Sequence, residues 1–264
     1  MKLVPDDAQE LILAACEASG KKRTALARRA LSISKDCADA YVFLAEAEQD
    51  NAEALRLLEE GVRIGERALG KRVFRECVGD FWLIFETRPY MRVRFALALL
   101  LQDMGERDRA IEIFNDLLRL NPNDNQGARY ELTTCLLEKG DHAALEDLLK
   151  EYENDGSAVW LYSRALLKFR QEGGSPAAEA FLRKALEENP FVPQYLLGKK
   201  KIPAHSPGYI IRGESTEAVE YAFWNRQVWD ETPGAPAWLD SMNQSRKPCR
   251  KKVSKQSSRK KPED

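Results

Sequence analysis

Two Asn-Pro pairs, in Leu120-Asn-Pro122 and Glu188-Asn-Pro190, stand 68 residues apart, twice a period of 34. Each closes a segment whose apolar residues recur at three and four. Proline cannot continue a helix, and it drives the residue before it out of helical geometry. Two helices must therefore end at equivalent points of a repeat. A 34-residue period holds two short helices and their turns, a unit that buries its apolar face only by stacking on neighbours. The predicted fold class is all-α, an α-solenoid of helical hairpins.

The clearest unit runs from Met91 to Asp124. Its first helix carries Leu97, Ala98 and Leu101, and Gly105 breaks it. Its second helix carries Ala110, Phe114 and Leu117 and stops at Pro122. Small residues at the helix crossing, an aromatic one turn later and a closing proline resemble the tetratricopeptide repeat. Ala98 stands where that repeat usually has glycine, and it is still small enough for close packing.

The next unit keeps the phase. Tyr130, Leu132 and Leu136 precede Gly140-Asp141, and Leu145, Leu148 and Leu149 follow. In a third unit Trp160, Tyr162, Ala165 and Phe169 precede Gly173-Gly174-Ser175-Pro176, with Pro176 acceptable at a first helical position. Residues 1–70 read as degenerate hairpins, with the second helix of one extended through Gly61 and Gly65 to Gly70, and Phe81-Trp-Leu-Ile-Phe85 packed under it. Residues 71–190 read as the repeats proper. Residues 191–240, rich in aromatics and proline, read as a cap, because a terminal repeat has no neighbour to bury it. Residues 241–264 have almost no apolar side chains and are expected to be disordered.

Three phrases are more specific: Glu86-Thr-Arg-Pro-Tyr-Met91, Leu120-Asn-Pro-Asn-Asp-Asn-Gln126, and Asn189 through Pro203. With Ala218 to Trp224, and Thr232-Pro233-Gly234-Ala235 before Trp238, they resemble bacterial tetratricopeptide proteins often grouped with the suppression-of-tumorigenicity-seven family. The resemblance covers roughly residues 60 to 240. It implies an α-solenoid and brings no enzymatic activity, cofactor or catalytic residue.

Charge is uneven. Nine Lys or Arg follow from Arg246 onward against Glu263 and Asp264, which leaves the body at −8 in a chain of net charge −1. Residues 246–264 are open to three readings: a solvated tail, a sequence-blind binder of nucleic acid or an anionic surface, or a nuclear import signal. With no aromatic between the charges, base stacking is not expected. The five cysteines form no C-x-x-C pair, and only His142 and His205 offer imidazole. No structural metal site or cofactor is expected. Met1 to Asp7 has no apolar run, and the longest apolar stretch, 95–101, is too short to span a bilayer. A cytoplasmic, non-membrane chain is expected.

Phosphate-loop and nucleophile-turn motifs are absent, and no pair of carboxylates is set apart for acid/base work. His205, beside Lys199 to Lys201, has no defined partner for catalysis. The chain is therefore expected not to be an enzyme. Stacked hairpins turn their first helices toward a concave face that binds extended peptides. Helical phase points Arg92, Phe95 and Gln102, then Tyr130 and Thr134, then Trp160 and Arg170 to that face. Aromatics and arginines dominate binding energetics. Tyr130 and Trp160 equally suit gaps between repeats. Arg88, Arg92 and Arg94 suit either carboxylate capture or pairing with Asp or Glu of a neighbouring repeat. The expected partner is a protein or peptide.

Overall fold

The computed structural model describes residues 4–205 and 208–245. Among these residues the regular structure is helical and no strand occurs. The chain divides into two compact units, Met1–Leu167 and Lys168–Asp264. The basic segment 246–264, with its nucleic-acid and import readings, lies outside the described residues.

The first unit is a series of antiparallel hairpins. In chain order they are α1 (Asp6–Glu17) with α2 (Gly20–Ile33), α3 (Ala38–Ala45) with α4 (Asn51–Glu76), α5 (Arg88–Asp103) with α6 (Arg107–Leu120), and α7 (Ala128–Lys139) with α8 (His142–Glu151). Within each hairpin the two helices pack on one another. Each second helix then packs on the next first helix: α2 on α3, α4 on α5, α6 on α7. The first helices also touch in series, α1 to α3 to α5 to α7. That connectivity is the one expected of stacked helix–turn–helix repeats.

Local chemistry explains the breaks. Asp50 caps α4 by accepting the amide of Ala52, and Asp141 caps α8 by accepting that of Ala144. Gly140, at φ 74°, takes the left-handed turn that ends α7. Ala98, Ala110 and Phe114 have no exposed surface, so the α5–α6 crossing is as close as the repeat pattern requires. α4 continues through Gly61 and Gly65, as expected, and breaks at Gly70 (φ 72°, ψ 158°). A Cβ on Gly61 would sit 2.8 Å from Val93 and 2.9 Å from Tyr41, so α3, α4 and α5 meet where only glycine fits.

Between α4 and α5 the chain makes no hairpin turn. Residues 77–87 form turns and a short 3-10 segment, Phe85–Thr87. The amides of Gly79 and Phe81 donate to the carbonyl of Leu120 at the end of α6. Phe81 enters an aromatic triangle with Phe74 and Tyr90. The hydroxyl of Thr87 donates to the carbonyls of Phe81 and Ile84. The apolar run Phe81–Phe85 was expected to pack inward as a whole. Phe81 is buried and Trp82 and Ile84 half-buried, but Leu83 is 65% exposed and Phe85 73%.

α9 (Ala158–Glu172) runs across the division between the units, and the second unit continues with α10 (Pro176–Glu188), α11 (Val192–Leu196), α12 (Ser215–Asp230) and α13 (Ala235–Gln244). Its interior holds a buried hydrogen bond from the Asn189 amide to Glu217, at 2.9 Å. Trp229 donates to the Tyr221 hydroxyl at 2.8 Å. Trp238 stacks on Phe169 with centroids 4.5 Å apart.

Candidate functional site

The groove residues expected from helical phase divide by burial. Trp160 is 1% exposed: its indole N–H donates to the Leu149 carbonyl at 3.3 Å, and its ring meets Tyr130 and Tyr152 edge-on. Thr134 is 3% exposed, with its hydroxyl toward the carbonyl of Tyr130. These two side chains lie in the packed interior and are not presented on a surface. Trp160 turns back onto the preceding hairpin, where Tyr130, Tyr152 and the Leu149 carbonyl enclose it.

Tyr130 and Phe95 are half-buried. The Tyr130 hydroxyl donates to Asp155 at 2.8 Å and accepts from Arg129 at 2.6 Å. Burial, then the neighbouring Asp155 carboxylate, pushes that hydroxyl up to about 12. Arg129 lies against the rings of Tyr130 and Tyr152 and bridges Asp124 and Asp155. Phe95 meets Phe114 edge-on at 6.0 Å. Gln102 is half-buried, and its side-chain carbonyl oxygen is buried with no hydrogen-bond partner. Arg170, in the second unit, donates to the Thr232 hydroxyl at 2.9 Å, and burial lowers its pKa.

The arginines at the start of α5 have separate fates. Arg92 clasps Asp39 of α3 with two hydrogen bonds, 2.7 and 2.6 Å. Burial opposes its charge, but the Asp39 carboxylate outweighs that and its pKa is raised. Arg94 pairs with Asp116 at 3.0 Å and donates to the Tyr90 hydroxyl. Arg92 follows the neighbour-pairing alternative, while Arg94 pairs within its own hairpin. Arg88 does not. Its Nε donates to the carbonyl of Trp82 at 2.9 Å. Its guanidinium lies 4.1 Å from the Phe85 ring centroid and 5.3 Å from that of Trp82. No ion pair to Arg88 forms among the described residues.

Arg88, Arg92 and Phe85 line one cleft of 480 Å³. Gly65 and Leu69 of α4 form another wall, and Leu13 of α1, 59% exposed, stands at the edge. Asp6 and Glu86 also line it, so donors and acceptors face the same space. Volumes of about 300–1,000 Å³ are usual for sites that take a ligand or an anchoring side chain. Of the residues chosen by helical phase only Arg92 lines this cleft; Phe85 was missed because it lies on a connection without helical period. Four residues of the family-like phrase Glu86-Thr-Arg-Pro-Tyr-Met91 line it, Glu86, Arg88, Pro89 and Tyr90, a signal that could have drawn attention to this segment.

No group of three or more His, Cys, Asp or Glu placed to hold a metal occurs among the described residues. His205 is exposed and His142 half-buried. No helix among the described residues is long and apolar enough to cross a membrane.

Serial first-helix contacts, paired helices and a side cleft define an all-helical protein of tetratricopeptide-like repeats. The ST7 protein family model matches residues 5–258, so the chain belongs to the ST7 family. The match takes in residues 5–60 and most of the basic segment, well beyond the expected 60–240. "Suppressor of tumorigenicity 7 protein-like" of Rattus norvegicus is 30% identical over 238 residues, 81% of this chain and 42% of that protein. "Protein ST7 homolog" of Drosophila melanogaster is 28% identical over 244 residues, 83% of this chain and 45% of that protein. The chain thus spans under half the length of the curated relatives it matches. Among solved structures, YrrB, described as a TPR protein with an unusual peptide-binding site, is similar with a TM-score of 0.42 and 20% identity, over 69% of this chain and 79% of that one.

Proposed function

We propose that this chain is a non-enzymatic interaction module that holds a segment of another protein in the cleft beneath Phe85 and Arg88. One observation carries the reading: Arg88 is oriented by two rings and one backbone bond, yet has no carboxylate partner among the described residues. A guanidinium fixed this way loses little freedom when its remaining N–H groups meet a ligand carboxylate. Phe85 and Leu13 offer apolar area beside it, and Asp6 and Glu86 offer acceptors for backbone N–H groups. An aromatic and an arginine at a cleft form the usual energetic centre of a protein interface.

The module works in the cytoplasm, where the buried free thiols of Cys37 and Cys135 stay reduced. The test is quantitative capture from native extract by the parent chain and by Phe85→Ala and Arg88→Ala. The two variants keep the parent's helical circular dichroism and lose a common set of captured proteins. Capture profiles identical to the parent's contradict the assignment.

A further inference from the structure

α2 differs from the other helices of its unit. Its sequence, Gly20-Lys-Lys-Arg-Thr-Ala-Leu-Ala-Arg-Arg-Ala-Leu-Ser-Ile33, has five basic residues and no acidic one. Elsewhere in the unit arginines are commonly matched with carboxylates: Arg56 with Glu53, Arg63 with Glu60, Arg107 with Glu138, Arg119 with Asp116. On α2 only Arg23 is matched, with Glu46. Lys21, Lys22, Arg28 and Arg29 are exposed and have no carboxylate within ion-pair distance among the described residues.

Their spacing places them together. Residues seven apart return to nearly the same side of a helix, about 10 Å farther along the axis. Lys21 and Arg28 form one such pair, and Lys22 and Arg29 the other. Ala25, exposed between the cations, and Ser32, exposed one turn beyond Arg28, are small, so a partner can approach the backbone. The opposite side, Ala27, Ala30 and Leu31, is buried in the core. Lys21 and Lys22 also occupy the first turn, where the helix dipole disfavours cations. No first-turn acid relieves them.

Beside this face lies a second cavity of the unit, a groove of 730 Å³. Lys21, Ala25 and Arg28 form one wall, Leu44 and Leu57 contribute apolar surface, and Glu48 and Glu53 stand on the other side. Glu53 is held by Arg56. A polyphosphate would gain nothing from the two leucines. A flat bilayer would not fill the groove.

We propose that the α2 face and its groove form a docking site, separate from the Phe85 cleft, for an acidic amphipathic helix of a partner protein. Carboxylates seven residues apart on that helix match the two cation pairs, and its aliphatic side chains reach Leu44 and Leu57. Helix-in-groove docking of this kind reads a charged edge and a few apolar anchors.

The probe is a fluorescent helical peptide with Glu at i, i+7 and i+8 and Leu at i+3 and i+4. Its anisotropy is followed with the full chain. Binding is expected to weaken by at least about tenfold in Arg28→Glu/Arg29→Glu and in Lys21→Gln/Lys22→Gln. It is expected to weaken likewise when Gln replaces Glu or Ser replaces Leu in the peptide. Lys71→Glu/Arg75→Glu, at exposed basic positions of α4, and Phe85→Ala leave it unchanged. Absence of binding, equal binding of the Gln peptide, or retained binding by both α2 variants overturns the proposal. So does binding of phosphatidylserine vesicles or poly(U) RNA in preference to the peptide.

Discussion

Arg92 of α5 and Asp39 of α3, 53 residues apart in the chain, are joined by two hydrogen bonds of 2.7 and 2.6 Å. Asp39 is buried, while Arg92 stays partly exposed. The pair therefore clamps two successive first helices. Removing Arg92 leaves a buried carboxylate without its partner. Arg92→Ala is expected to destabilise the fold by about 2 kcal/mol. Asp39→Asn should recover part of that loss in the double variant. Urea melts of the four proteins measure the coupling; additive losses would show that the clamp does not hold.

Gly61 sits where a Cβ would meet Val93 and Tyr41 at under 3 Å. The Tyr41 contact is its Cβ, close to the backbone, so it cannot swing away. Gly61→Ala gains helix propensity but overpacks the crossing, and a net loss of about 1–3 kcal/mol is expected. Thermal denaturation checks the sign, which a propensity argument alone would reverse.

Trp160 fills the space between Tyr130 and Tyr152. Trp160→Ala should cost about 3–5 kcal/mol, so its main effect is on folding. The midpoint of urea unfolding is the measurement. A variant as stable as the parent would return Trp160 to the surface.

Burial pushes the hydroxyls of Tyr90, Tyr130 and Tyr152 up to about 12. An unfolded tyrosine ionises near about 10. Since the folded values are raised, the stability these groups contribute is whole below about pH 10 and is lost as pH rises toward about 12. Burial raises the Tyr41 hydroxyl as well, so tyrosinate absorbance should show at least four of the eight tyrosines ionising late in the native chain. Tyr130→Phe should remove part of the alkaline slope of stability. Eight tyrosines ionising together would contradict the burial.

Periodicity made the fold legible, because each apolar stripe needs a cover and each Gly, Asn or Pro sets a break. Ala98, Ala110 and Phe114 could be placed from spacing alone, and all three are buried. The site was less legible. Helical phase says which way Trp160 and Thr134 turn, but not that packing covers them. The partner of Arg92 lies 53 residues away, beyond any local pattern. Phe85 belongs to a connection without period, so nothing in its spacing distinguished it from Phe81, which is buried. Residues 191–240 were expected as a capping segment with one long helix; the short α11 precedes that helix and α13 follows it, around Trp238.

The most direct test places a photocrosslinking residue at position 85, with position 150 on the exposed side of α8 as control. On illumination in native extract, position 85 should join to a discrete partner protein, and Arg88→Ala in the same chain should abolish the product. Position 150 should give none. Crosslinks that are equally diffuse at both positions, or that persist without Arg88, would contradict a binding site at this cleft.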